Sequence, residues 1–139
     1  MKLSVIIAVL LVIVSLFGCQ DKAPIYPQIS VPQKMLQQIE VQQAGAKLFA
    51  QLCRECHGSM TEGRSKRAAR FEPPAPDFRH PNYASVAAAY LYWRIDTGKQ
   101  VEPYRSRGSV MPAWGPYLSN EKIWQLVAYL QKRARNETQ

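Results

Sequence analysis

The sequence predicts a mostly α-helical single domain. Three observations carry that expectation. The chain has 139 residues, a length for one small domain. Three stretches, 33–52, 84–96 and 119–135, repeat their apolar residues at steps of three and four, the period of a helix with one buried face. Nowhere does the strand–helix–strand alternation of a parallel-sheet protein occur, and there is no internal repeat or low-complexity tract.

Taken in order, the chain begins with Lys2 and an apolar run from Leu3 to Phe17. As a helix that run would be ~22 Å long, short of the ~30 Å hydrocarbon core. It therefore reads as the hydrophobic part of a signal peptide, residues 1–18, rather than as a membrane span. Pro24, Pro27 and Pro32 follow within residues 19–33. Closely spaced prolines block helix and favour extended chain, so the segment is expected to be a tether of up to ~40 Å, or else a strap laid on the domain. The domain proper is expected at 34–139.

The first helix, 33–52, would bury Met35, Ile39, Val41, Ala44, Leu48 and Leu52. Gly45 stands in its middle, where it weakens a helix by ~1 kcal/mol unless something needs the space. A polar, basic loop from Ser59 to Arg70 leads into Pro73, Pro74 and Pro76. The second helix, 84–96, turns Val86, Ala89, Tyr90, Leu91, Trp93 and Ile95 inward, with Ser85 as N-cap and Gly98 as the stop. A second basic loop carries Lys99, Arg105 and Arg107 to Met111-Pro112. The last helix, 119–135, is capped by Ser119, has Glu121 at its positive end, and buries Ile123, Trp124, Leu126, Val127 and Leu130. Lys132, Arg133 and Arg135 suit its negative end and read as a solvated basic tip, with a docking patch as the alternative.

The formal charge is +8, and +7 once Lys2 is removed with residues 1–18. The basic residues are scattered rather than gathered on one motif, which speaks against nucleic acid. A basic surface suits an acidic protein partner or anionic lipid head groups.

Cys53-Arg54-Glu55-Cys56-His57 is a C-x-x-C-H motif, the spacing of a covalent haem attachment site. Thiols three positions apart lie on neighbouring turns and can each add to one haem vinyl group, while the adjoining imidazole reaches the iron. Zinc is a poor alternative, because His57 adjoins Cys56 and cannot easily complete the same tetrahedron. A thioredoxin-like dithiol would need a βαβ setting that is missing here. The third cysteine, Cys19, requires a separate role.

From about residue 40 to 132 the sequence resembles the class I cytochrome c family. Gly45, Phe49 and Cys53 match its first helix, C-x-x-C-H its attachment site, Met111-Pro112 its distal loop, and Tyr129 the aromatic of its last helix. The resemblance implies about three to four helices wrapped around one covalently attached haem c. It further implies that Cys53 and Cys56 form thioethers, that His57 is the proximal iron ligand, and that Met111, 54 residues beyond His57, is the distal one. His80, Met60 or an open position are the weaker distal alternatives. A proline carbonyl, from Pro73, Pro74 or Pro76, is expected to accept the His57 Nδ1–H. Tyr92, Trp93 and Arg94 are candidates for contact with the haem or its propionates, and equally for core aromatics and a solvated arginine. Leu16-Phe17-Gly18-Cys19 resembles a bacterial lipobox, which implies a lipid on Cys19 and a domain on the periplasmic side of a membrane, the outer membrane favoured over the inner because Gln20 directly follows the cysteine and Asp21 comes one position later than the inner-membrane retention signal. The expected function is one-electron transfer between redox proteins of a respiratory chain, by a carrier that is not itself an enzyme and takes no small-molecule substrate. The alternatives are a fixed haem c subunit of a larger oxidase, reductase or dehydrogenase, and a ligand-binding haem protein with a displaceable Met111.

Overall fold

The computed structural model describes residues 25–136 apart from position 103. Residues 1–18 and Cys19, with the signal peptide and lipid site expected of them, lie outside that range. The described residues hold six α-helices, one short 3-10 turn and no strand: α1 Gln33–Leu36, α2 Ile39–Leu52, α3 Arg54–His57, the 3-10 turn Ala68–Arg70, α4 Asn82–Ser85, α5 Ala88–Thr97 and α6 Asn120–Asn136. The fold is mostly α, as expected.

Helix α6 organises the packing. Its residues Ile123, Leu126, Val127, Ala128, Tyr129 and Leu130 are all buried, and α1, α2, α4 and α5 each pack against it. The α2–α6 crossing explains Gly45. A Cβ there would strike the Gln125 carbonyl oxygen and lie 2.9 Å from Tyr129 Cβ. The missing side chain lets the two backbones touch, and that close packing offsets the cost of glycine in a helix. Phe49, one turn on, stacks with Tyr129 at 5.1 Å between ring centres.

Two expected helices are broken, and the breaks follow one rule. The 33–52 helix stops at Leu36 and restarts at Ile39, because Gln38 adopts an extended backbone. The 84–96 helix stops at Ser85 and restarts at Ala88, with Val86 and Ala87 extended. Each break frees carbonyl groups that a continuous helix would have satisfied. A glutamine amide takes one in each case: Gln42 Nε2 donates to Leu36 O at 3.0 Å, and Gln131 Nε2, from α6, donates to Val86 O at 3.1 Å. Gln42 is therefore buried, whereas Ile39, expected inside, is exposed. Ser85 caps nothing; its hydroxyl bonds back to Asn82 O, and Ala87 holds the N-cap position of α5.

The proline-rich segment has no regular secondary structure over 25–32, yet it lies on the domain. Ile29 and Val31 pack against the core, and the Tyr26 ring meets Tyr90 at 5.4 Å and Trp93 at 6.1 Å. Within the described residues the expected tether is a strap.

Candidate functional site

Cys53 closes α2 and opens α3. Its N–H donates to Phe49 O, and its carbonyl accepts from the N–H groups of Cys56 and His57. The attachment motif is thus one tight helical turn continuing α2. The Ser65 hydroxyl ties the returning loop to this turn through Glu55 O (2.7 Å) and Cys56 O (3.2 Å).

His57 is 9% exposed. Its Nδ1 lies 3.4 Å from Pro76 O. A carbonyl can only accept, so Nδ1 carries the proton and Nε2 is left with its lone pair. Of the three prolines, the structure selects Pro76. Burial pushes the imidazole pKa down to about 4, against the Pro76 carbonyl, with further lowering from Lys99 and Arg133. The ring is therefore neutral at ordinary pH, the form that ligates a metal. Burial, reinforced by neighbouring Cys56, pushes the Cys53 thiol up to about 12. Phe78 lies 4.6 Å from the His57 ring and Phe49 lies 6.4 Å from it, so aromatic side chains hold the ring on two sides.

The Met111 loop is stitched to the end of α5. Trp114 N–H donates to Ile95 O and Gly115 N–H to Asp96 O, both at 3.0 Å, which satisfies the last carbonyls of that helix. Lys99 N–H donates to Met111 O at 3.2 Å. Gly98 ends α5 with φ +64°, and a Cβ there would stand 2.5 Å from the Pro112 carbonyl. Only glycine allows both the turn and that approach. Arg94, 5% exposed, is neither solvated nor lining the cleft described below. It donates to Gly98 O at 3.0 Å and stacks on Trp93 (3.8 Å) and Tyr104 (4.6 Å), holding the loop from behind. Tyr92 likewise turns away from the cleft, with its hydroxyl donating to Asn120 Oδ1 at 2.9 Å.

The result is a cleft with about 840 Å³ of empty space, part of it open to solvent. Cys53, Cys56 and His57 line it from the attachment turn, Met111 and Pro112 from the loop, and Phe71, Ile95, Trp114, Leu126 and Leu130 supply apolar wall. Lys99 reaches it as well, and burial lowers its pKa. His80 and Met60 are exposed and line no part of it. No group of three or more metal-binding side chains of the zinc type occurs among the described residues.

This donor set fits a haem: apolar walls for the macrocycle, two thiols without a disulfide, a neutral imidazole whose Nδ1 is already engaged, and a thioether. The helical shell and the attachment turn define a single-haem c-type cytochrome domain. A family model described as cytochrome c oxidase, cbb3-type, subunit III, matches residues 40–130, and the chain belongs to that family of c-type cytochromes, with one covalently bound haem c. No curated protein matches the chain.

One functional neighbour escaped the sequence reading. Arg133, expected at a solvated basic tip, is 1% exposed. Its Nη2 donates to Ser59 O at 2.6 Å and its Nη1 to Gly58 O at 3.4 Å, and its guanidinium lies 5.1 Å from the Phe49 ring. A signal was available. Arg133 follows Leu126 by seven residues and Leu130 by three, which puts it on the buried stripe of α6.

Proposed function

We propose that this chain is a membrane-anchored, single-haem carrier that passes one electron at a time between redox proteins. The carrying observation is the cleft itself, which gathers the attachment turn and Met111 from elements far apart in the chain. Haem iron supplies the chemistry by alternating between ferric and ferrous states. The roles of the residues follow from their places. Cys53 and Cys56 fix the group by thioether bonds. His57, with Nδ1 committed to Pro76, would hold the iron through Nε2, and the carbonyl makes that nitrogen more basic. Met111 would hold it through a soft thioether, from a loop stiffened by Pro112. With both His57 and Met111 holding the iron, no position would be left for substrate, which fits a carrier rather than an enzyme. Its basic surface favours acidic redox partners.

Anchoring rests on the sequence. No helix among the described residues is long and apolar enough to cross a membrane. The lipobox-like Leu16–Cys19 supports a lipid on Cys19, a place on the periplasmic side of a bacterial membrane, and the outer membrane over the inner.

A second reading, a fixed haem c subunit of a larger oxidase complex, is favoured by the description of the matching family. Purification after mild detergent extraction separates the two: a stable, stoichiometric partner would replace the mobile carrier with the fixed subunit. The axial assignment is tested by the optical spectrum of the dithionite-reduced protein with and without carbon monoxide. An unchanged low-spin c-type spectrum is expected, and a large shift would withdraw Met111 as a firm ligand.

A further inference from the structure

We propose that Arg133 is a positioning residue of the redox centre: it clamps the backbone that follows His57 and holds a fixed, unpaired positive charge behind that ligand, raising the reduction potential. The inference rests on His57 as an iron ligand. Three observations carry it.

The first is attachment. The guanidinium bonds the carbonyls of Gly58 and Ser59, the two residues directly after His57. A helix 75 residues away in sequence thereby fixes the exit of the attachment turn. The second is isolation. Arg133 is 1% exposed, its Nε is buried without a hydrogen-bond partner, and it joins no ion pair among the described residues. Asp77, a carboxylate on the same side, has its oxygens taken by Arg79. A buried arginine normally sits against a carboxylate, because the cost of removing the charge from water is large. Here carbonyl dipoles and the Phe49 face are its partners, so the full charge is not cancelled locally. The third is proximity. The Phe49 ring centre lies 5.1 Å from the guanidinium and 6.4 Å from the His57 ring centre, so both groups share this one aromatic neighbour.

These two distances keep the guanidinium within about 12 Å of the imidazole, and even at that range, with an effective dielectric of ~20, a unit charge changes a one-electron equilibrium about tenfold. Positive charge disfavours the ferric state, which carries one charge more than the ferrous, so the equilibrium moves toward reduction. Tenfold corresponds to about 59 mV for a one-electron couple.

The test is spectroelectrochemical titration of the haem-loaded protein with Arg133→Lys, Arg133→Gln and Arg133→Met. Lysine keeps the charge and loses the fork, so Arg133→Lys should hold the wild-type potential while melting earlier. Arg133→Gln and Arg133→Met should become about tenfold easier to oxidise, with an unchanged low-spin spectrum. A folded, haem-loaded Gln or Met variant at the wild-type potential would overturn the proposal, as would an equal drop in all three. If neither neutral variant yields haem-loaded protein, Arg133→Lys decides: formation at the wild-type potential supports a need for charge, and its failure overturns it. Failure of the His57 assignment is seen separately, in a wild-type spectrum that is not low-spin c-type.

Discussion

The two sides of the cleft are held in different ways. The attachment side is helix on helix. α2 and α6 cross at Gly45, α3 continues α2, and Pro76, Phe78 and Arg133 fix His57 and its exit from separate parts of the chain. The Met111 side has no regular secondary structure among the described residues from Lys99 to Ser119. It hangs on a few backbone hydrogen bonds to the end of α5, with Arg94 behind it, and Val110 beside Met111 is 54% exposed. Stability is not uniform across a structure, and segments with few buried apolar contacts open first. The contrast teaches that His57 belongs to the core, whereas Met111 belongs to a loop that is expected to open before the core melts.

The strongest way to break that contrast is at the helix crossing. Gly45→Val would drive side-chain atoms into the Gln125 carbonyl and Tyr129. Since these are backbone and core, overpacking should cost ~3 kcal/mol or more. Thermal melting should show global loss of the holoprotein rather than a change confined to the Met111 loop.

Met111→Ala comes next. Both thioether cysteines remain, so haem should stay covalently attached through denaturing electrophoresis. The reduced protein should now bind carbon monoxide, and stability should fall by about 2 kcal/mol from lost packing of the half-buried side chain. Haem loss in this variant would contradict the separation of attachment from axial ligation.

Gly98→Ala sharpens the comparison without touching a ligand. Its φ of +64° and the 2.5 Å approach to Pro112 should cost ~1–2 kcal/mol. The cost falls on the loop, so carbon monoxide binding by the reduced protein should rise before the melting temperature drops much. A pure fall in melting temperature would mean that loop and core open together.

The smallest effect concerns pH. The Arg79 side chain holds the Asp77 carboxyl below its ordinary value. A lowered folded-state pKa means that the unfolded chain binds more protons in acid. The pair therefore contributes stability above about pH 4, and loses it as pH falls through the folded value. With side chains 34% exposed the contribution is screened, below about 1 kcal/mol. Asp77→Asn should be slightly less stable than wild type at neutral pH, and the gap should close in acid.

Local patterns made much of this legible from the sequence. The attachment motif is contiguous, and its chemistry depends on spacing along one turn. The apolar face of α6 repeats with the helical period, and Gly45 and Phe49 stand at fixed steps before Cys53. Met111-Pro112 is a local pair. These are properties of residue types at short separations, which a sequence states directly, and they sufficed for a mostly α fold around one haem c.

What the sequence left open depended on where distant segments meet. Three prolines were equal candidates until the fold put the Pro76 carbonyl at the His57 ring. Two helices break where Gln42 and Gln131 each take a freed carbonyl, and for Gln131 that partner lies 45 residues away. Arg133 read as surface charge and Arg94 as either a propionate partner or a solvated residue, and only the folded chain supplied the carbonyls and aromatic faces that let them be buried. A buried polar group is stable only with a partner, and in this chain the partners are set by tertiary structure. Short-range spacing determined the chemistry of the centre; long-range contacts decided which groups position it.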